Sequence, residues 1–197
     1  MTGPTSTFRV LHVCTGNICR SPMAEHLMRA GLQQRLGERA SRFDVSSAGT
    51  WARPGDPMEE AARTTLLDYA VAGDAFRAQT LVADLVASAD LILVATREHR
   101  GAAVTLFPRA AARTFTLREF ARLLSVVPAS ELPTGDIVER ALQLVRAAAA
   151  RRGTVPPEHP RDDDLEDPYR APVAAFATCA ALIERSLCGP LDLLAAG

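Results

Sequence analysis

The fold is decided by residues 8–22, which read FRVLHVCTGNICRSP. The first part of this segment, residues 8–13, is largely apolar and has the pattern of a buried strand. A helical pattern then begins at Ser21 and Pro22, with apolar residues at positions 23, 24, 27, 28 and 32. The segment therefore predicts a strand, a seven-residue turn and a helix.

Further strands and helices alternate along the chain. Strands are expected at residues 43–47, 91–95 and 114–117, and helices around residues 58–72, 81–88 and 97–106. The run LILVA at 91–95 is apolar throughout, as in a parallel strand buried on both faces. The alternation predicts an α/β fold, a three-layer sandwich in which a small parallel sheet of about four strands is flanked by helices.

The second half of the chain is less regular. Residues 126–135 and 153–160 are rich in proline and glycine and predict loops. A helix is expected between them at 136–152, and another apolar helix at about 171–188. With 197 residues, of which 48% are hydrophobic, the whole chain 1–197 is expected to form a single domain.

Composition limits the classes of function. Lysine plus arginine (22) nearly equal aspartate plus glutamate (23), so the charge balance predicts no nucleic-acid partner. The start of the chain has no basic region followed by a long apolar run, and we expect a cytoplasmic protein without membrane insertion. The four cysteines suit neither a disulfide framework nor a zinc site, so we expect reduced thiols and no metal or cofactor. Self-association as a homo-oligomer stays undecided.

The turn after the first strand has the features of an anion-binding loop. A strand that leads into a helix brings unpaired N–H groups and the positive end of the helix dipole to one place. Gly16 allows close approach of backbone to an anion, Asn17 tolerates a left-handed conformation, and Arg20 offers a planar pair of donors. The sequence therefore predicts a phosphate site formed by Thr15, Gly16, Asn17, Ile18, Cys19, Arg20 and Ser21.

Cys14 is the predicted nucleophile of this loop. Amides, a helix N-terminus and Arg20 would stabilise its thiolate, and Ser21 could donate to the sulfur. The expected reaction is attack on phosphorus, formation of a phosphocysteine and hydrolysis by water. Cys19 either packs or captures oxidised Cys14 in a reversible disulfide, and both interpretations stay open.

These residues resemble the signature of the low-molecular-weight protein tyrosine phosphatases, in which Cys, five residues, Arg and Ser follow the first strand. The resemblance extends to residues 22–25, 47–51, 89–93 and the late Asp167-Pro168-Tyr169. It implies hydrolysis of phosphotyrosine with Asp167 as general acid, which donates a proton to the leaving oxygen and later accepts one from water. On the sequence alone, Asp167 is also one of several carboxylates in the run 162–167.

The chain departs from the family pattern in two places. The region of about 126–160 is longer than the connection that the family usually has, and we expect a loop–helix–loop insertion there. Arg170 stands after Tyr169 where many members have a second aromatic residue. Trp51 and Tyr169 are the expected aromatic walls of the substrate site, with packing as the alternative role for Trp51.

Four other functions compete with a tyrosine phosphatase. A phosphatase of small phosphate esters in a biosynthetic pathway is the principal alternative, and a non-catalytic phosphate-binding module needs neither Cys14 nor Asp167. A thiol-relay arsenate reductase is disfavoured because Cys179 and Cys188, nine residues apart, do not share a helix face. A phosphoarginine phosphatase tends to have threonine where this chain has Ile18. The expected substrate is therefore a phosphotyrosyl protein or a small phosphate ester.

Overall fold

The computed structural model describes residues 6–197 and contains the predicted parallel sheet. Within this range four strands pair in the order β2-β1-β3-β4. They are β1 (Phe8–Cys14), β2 (Phe43–Gly49), β3 (Leu91–Val94) and β4 (Thr114–Thr116). The sequence also predicted that the chain starts without a targeting segment. That prediction rests partly on residues 1–5, which lie outside the described range.

Seven α-helices surround the sheet in the described part of the chain. They are α1 (Arg20–Leu36), α2 (Glu60–Leu67), α3 (Ala83–Ser88), α4 (Arg97–Leu106), α5 (Leu117–Leu124), α6 (Ile137–Ala150) and α7 (Val173–Ala195). One face of the sheet packs against α1, α5 and α7, and the other against α3 and α4. Every residue of β3 is buried because helices cover both of its faces. The α/β sandwich is confirmed.

Helix α5 was missing from the sequence prediction. It begins directly after β4 with a capping box, in which the Glu119 N–H donates to Thr116 Oγ1 (3.0 Å) and the Thr116 N–H donates to Glu119 Oε2 (3.2 Å). These two bonds satisfy amides that the first helical turn leaves unpaired. The Thr-x-x-Glu pattern at 116–119 was the available signal.

The predicted end of the last helix, near residue 188, was wrong. Helix α7 continues through Gly189 and Pro190 to Ala195. Proline removes one backbone hydrogen bond and normally predicts the end of a helix. Leu191 and Leu194 beyond it are nevertheless buried in the larger of the two cores, which lies on the side of the sheet covered by α1, α5 and α7. Tertiary burial therefore outweighs the local signal. By length and hydropathy α7 would pass for a membrane span, yet its inner face is packed against α1 and α5.

The predicted helix within the 126–160 region is α6. Its N-cap is Asp136, whose Oδ1 accepts from the N–H groups of Val138 (2.9 Å) and Glu139 (3.0 Å). Its inner face joins the larger core, and the fully buried Arg140 donates to the carbonyl of Leu193 near the end of α7 (2.8 Å). The region is thus packed onto the sheet's own core.

Candidate active site

The loop between β1 and α1 lies at the carboxyl end of the sheet, where parallel α/β folds bind ligands. The register pairs Cys14 with Gly49 at the end of β2. A Cβ atom on Gly49 would lie 2.5 Å from the carbonyl oxygen of Thr15, so only glycine allows the two chains to approach this closely. The N–H of Trp51 donates to that same carbonyl (2.9 Å). The end of β2 therefore supports the loop and places Trp51 beside it.

Asn17 has the expected left-handed conformation, with φ of 54°, but its side chain points away from the cleft. Its Nδ2 donates to Ser21 Oγ (2.9 Å) and Ser47 Oγ (2.8 Å), and its Oδ1 accepts from the N–H of Gln79 (2.8 Å). The side chain is completely buried. Asn17 was predicted in the substrate site for its backbone conformation, and that role stays a prediction. Its side chain fixes the loop from behind, which leaves its backbone for a ligand.

Ser21 is also behind the loop, in contact with the predicted nucleophile. Its Oγ lies 3.0 Å from Cys14 Sγ and accepts from Asn17. The alternative acceptor for its hydrogen, the carbonyl of Ala48, is more distant at 3.5 Å. The geometry therefore favours donation from the Ser21 hydroxyl to the Cys14 sulfur, as expected from the sequence.

The Arg20 side chain is only 5% exposed and contacts both sides of the cleft. Nη1 donates to the Leu165 carbonyl (3.2 Å), and Nη2 donates to Thr15 Oγ1 (3.3 Å) and Asp167 Oδ2 (2.6 Å). Its Nε is buried and has no hydrogen-bond partner within residues 6–197. A buried donor without a partner is costly, and an anion bound in the loop would supply the missing acceptor.

His99 belongs to the same network and was not predicted. Its Nε2 lies 2.9 Å from Thr15 Oγ1, and its Nδ1 lies 2.7 Å from Oγ1 of Thr96, the N-cap of α4. Burial, reinforced by the charge of Arg20, lowers the pKa of His99 to about 4, so the ring is neutral at physiological pH. A polar residue shortly after β3, the neighbour of β1, was the signal that could have identified it.

The loop forms the floor of a cleft of about 270 Å³. The residues that line it are Cys14, Thr15, Gly16, Ile18, Cys19, Arg20, Trp51, Arg53, Asp56, Asp167 and Tyr169. Trp51 is 84% exposed and Tyr169 45% exposed, so both rings stand at the mouth and neither is a core residue. Arg53 and Asp56 were not predicted. Their ion pair is loose, with 4.0 Å between Nε and Oδ2.

Asp167 is the member of the acidic run that lies in the cleft with Cys14. The other three aspartates of the run bond elsewhere: Asp162 accepts from the N–H of His159 (2.7 Å), Asp163 pairs with Arg122, and Asp164 accepts from the N–H of Arg97 (2.8 Å). The tertiary structure thus distinguishes between carboxylates that the sequence alone could not rank.

Arg170 occupies the position that follows Tyr169. Its φ is 63°, a left-handed conformation that arginine rarely adopts. The guanidinium lies 5.2 Å from the centre of the Tyr169 ring, within the range of a cation–π contact. One face of Tyr169 is therefore covered by a cation and not by a second ring.

The four cysteines are free thiols in this structure. Cys19 lines the cleft, and burial together with nearby negative charge raises its pKa well above the ordinary value. Burial raises the pKa of Cys179 to about 12. Cys188 lies on another face of α7 and donates to Glu184 (3.3 Å). The two late cysteines thus lie in different surroundings, which disfavours a thiol relay.

The comparisons with known proteins agree with this geometry. Residues 9–126 match the family model described as low molecular weight phosphotyrosine protein phosphatase. The chain belongs to this family. It is thus a phosphatase of the cysteine-dependent, low-molecular-weight type, and the fold and the family predicted from the sequence are both confirmed.

Individual relatives of this phosphatase have more than one named substrate. This chain is 35% identical over 111 residues to the protein-arginine-phosphatase of Bacillus subtilis, and the match covers 56% of this chain and 71% of that protein. It is 28% identical over 178 residues to EpsP of Ralstonia solanacearum, a probable low-molecular-weight protein-tyrosine-phosphatase, covering 90% of each. The solved tyrosine phosphatase of T. tengcongensis superposes with a TM-score of 0.68 at 26% identity, covering 94% of this chain and 99% of that one.

Proposed function

We propose that this phosphatase hydrolyses phosphotyrosine in proteins through a phosphocysteine intermediate on Cys14. The observation that supports the proposal is one cleft in which Cys14 and Arg20 lie at the floor, Asp167 contacts Arg20, and two aromatic side chains stand at the mouth. A thiol, a phosphate-binding cation, an acid and a flat apolar entrance are the parts that an aryl phosphomonoester requires.

Phosphate binding is assigned to the loop backbone and to Arg20. The N–H groups of the loop surround the anion, with the N-terminus of α1 behind them. The unpartnered Nε of Arg20 and its Nη2 form one edge of the guanidinium and can donate side by side to two oxygens. Because the phosphoryl charge in the transition state is spread over its equatorial oxygens, these donors act where that charge lies.

Two chemical steps follow from the geometry. The Cys14 thiolate attacks phosphorus, the bond between phosphorus and the ester oxygen breaks, and Asp167 donates its proton to that oxygen. A water molecule then attacks the phosphocysteine, Asp167 takes a proton from it, and the thiolate leaves with inorganic phosphate as the product. The Ser21 hydroxyl, 3.0 Å from Sγ, stabilises the departing thiolate.

We also propose that the protein is a single domain and acts in the cytoplasm. The chain is a single domain, residues 1–197, with a loop–helix–loop insertion at about 126–160, because α6 packs on the same core as α5 and α7. A nucleophile that acts as a thiolate has to stay reduced, which suits the cytoplasm.

Two other substrates are supported by specific observations. The Bacillus subtilis relative is named a protein-arginine-phosphatase, and the Asp56 carboxylate in the cleft wall could receive a guanidinium. Against this, Ile18 in the cleft wall is apolar. The second substrate is a small polar phosphate ester. It is supported by Arg170, whose guanidinium contacts Tyr169 where many members of the family have a second aromatic residue.

A substrate panel tests the proposal. Equal concentrations of a phosphotyrosine peptide, a phosphoserine peptide, a phosphoarginine peptide and sugar phosphates are assayed for phosphate release with the parent and with Cys14→Ser. We expect the phosphotyrosine peptide to have the highest kcat/KM and Cys14→Ser to release none. Preferential hydrolysis of phosphoarginine or of sugar phosphates would overturn the substrate while leaving the nucleophile in place.

A further inference from the structure

A partly buried ion pair joins Arg122 to Asp163, which lies four residues before the proposed acid. The Arg122 guanidinium on α5 contacts both oxygens of Asp163, with Nε to Oδ1 at 3.1 Å, Nη2 to Oδ1 at 3.0 Å and Nη2 to Oδ2 at 2.7 Å. Asp163 is only 8% exposed. Such two-oxygen pairing has a fixed geometry, unlike a contact with a lysine.

The same guanidinium also holds the last part of the insertion. Its Nη1 donates to the carbonyl of Val155, within the second predicted loop. Helix α5 is itself fixed to the end of β4 by the capping box at Thr116 and Glu119. Arg122 therefore joins three parts of the molecule: the sheet through α5, the exit of the insertion, and the beginning of the segment that leads to Asp167.

The contacts continue along this segment toward the cleft. Arg118 Nη1 donates to the carbonyl of Asp164 (3.1 Å), and the N–H of Leu165 donates to the carbonyl of Ala95 at the end of β3 (2.8 Å). The carbonyl of Leu165 accepts from Arg20. Asp167 follows two residues later, and Pro168 restricts its backbone to extended conformations. The position of the acid is thus determined by where residues 163–165 are held.

We infer that the Arg122–Asp163 ion pair positions Asp167 for proton transfer. The inference rests on the proposed role of Asp167 as general acid. Neither Arg122 nor Asp163 lines the cleft, so both are positioning residues. If Asp163 loses its charge, the partly buried Arg122 guanidinium loses its partner, and the segment is no longer held against α5.

The dependence on the leaving group distinguishes positioning of the acid from general stability. Asp163→Asn keeps the size of the side chain and removes its charge. For phosphotyrosine, whose leaving oxygen needs a proton, we expect kcat/KM to fall by about tenfold or more, within the range that general acid catalysis supplies. For an aryl phosphate with a strongly acidic phenol, we expect kcat/KM to fall less than about twofold, because that oxygen leaves without a proton and kcat/KM does not include the later hydrolysis of the phosphocysteine.

A double mutant and a matched control complete the test. In an Asp167→Asn background, Asp163→Asn should cause no further loss, since the two changes remove the same function. The control is Glu131→Gln, which breaks the half-exposed ion pair with Arg151 inside the insertion but touches nothing near the acid. It should change kcat/KM for neither substrate. Thermal unfolding of each variant verifies that it is folded at the assay temperature.

The outcomes separate this inference from the proposed function. If Asp167→Asn shows the leaving-group dependence and Asp163→Asn lowers kcat/KM equally for both substrates, the inference is wrong and the proposed function stands. If Asp167→Asn itself shows no such dependence, Asp167 is not the general acid. That result would refute both this inference and the role of Asp167 in the proposed function. Should Asp163→Asn fail to fold, Arg122→Lys replaces it. This variant keeps the charge but loses the two-oxygen contact, and it should show the same selective loss; an equal loss on both substrates would again refute the inference.

Discussion

Arg20 Nη2 and Asp167 Oδ2 lie 2.6 Å apart, although 147 positions separate the two residues in the chain. The cation proposed to bind phosphate and the proposed acid are therefore in direct contact. An anion that enters the loop competes with Asp167 for Arg20 and also meets the negative charge of that carboxylate. The pair links substrate binding to the position of the acid.

This competition predicts tighter binding of an inert anion when Asp167 is neutral. Asp167→Asn should bind sulfate about three- to tenfold more tightly than the parent, because Arg20 is released and one repulsion is removed. Competitive inhibition of aryl phosphate hydrolysis gives the dissociation constants. Glu166→Gln, a change at the adjacent exposed carboxylate, should bind as the parent does. Weaker binding in Asp167→Asn would mean that the carboxylate organises Arg20 and does not compete with the anion.

Cys14→Ser should separate chemistry from binding. We expect turnover of an aryl phosphate to fall below detection while sulfate binding is retained, because the loop amides and Arg20 remain in place. Mass spectrometry of the parent, quenched during turnover, should show a phosphoryl adduct on Cys14. Turnover within about tenfold of the parent would exclude nucleophilic catalysis by this thiol.

Arg20→Lys should be nearly as damaging as Arg20→Ala. A lysine ammonium cannot present two parallel donors to phosphate oxygens in one plane while it also contacts the Leu165 carbonyl and Thr15 Oγ1. We expect kcat/KM to fall by at least about a hundredfold in both variants. Steady-state kinetics on one aryl phosphate measures this. An active lysine variant would show that charge alone suffices.

Cys19 should determine whether oxidation of the cleft can be reversed. Both Cys14 and Cys19 line the cleft, so sulfenic acid formed on Cys14 has a thiol in the same pocket to condense with. After exposure to hydrogen peroxide, the parent should recover activity on addition of dithiothreitol, and Cys19→Ser should recover less. Equal recovery of both proteins would leave Cys19 with a packing role only.

Buried His12 should make stability depend on pH. Burial, and next the charge of Arg29, lowers its pKa from 6.5 to about 3. Between these values the unfolded chain binds a proton at this position and the folded chain does not, so the free energy of unfolding falls as pH drops below 6.5. The slope is about 1.4 kcal/mol per pH unit for one such histidine.

The test compares His12→Leu with the parent by urea unfolding at pH 7 and pH 5. The variant should lose less stability over this interval, because its position 12 cannot be protonated in either state. Part of the slope should remain, since His99 also has a lowered pKa, of about 4. If the parent and the variant lose stability equally, His12 is not the buried neutral group that the structure indicates.

Much of the fold follows from local sequence. The apolar pattern of β1, the glycine and asparagine of the loop and the first turn of α1 lie within residues 8–22, and each depends on neighbours in the chain. The bounds of α4 and the apolar run of β3 likewise agree with prediction. Periodicity and capping are local properties, so a sequence displays them directly.

The arrangement of the site was decided by contacts between distant segments. Which carboxylate of the run 162–167 enters the cleft depends on Arg122, Arg97 and Ala95, and no local pattern encodes those partners. The side chain of Asn17 turns inward because Ser47 and Gln79 lie behind it. His99 joins the site because β3 lies next to β1 in the sheet. The sequence therefore identifies the chemical groups of the loop between β1 and α1, because they lie close together in the chain. The distances from these groups to Asp167 and His99 arise only in the folded protein, where separate strands end at one edge of the sheet.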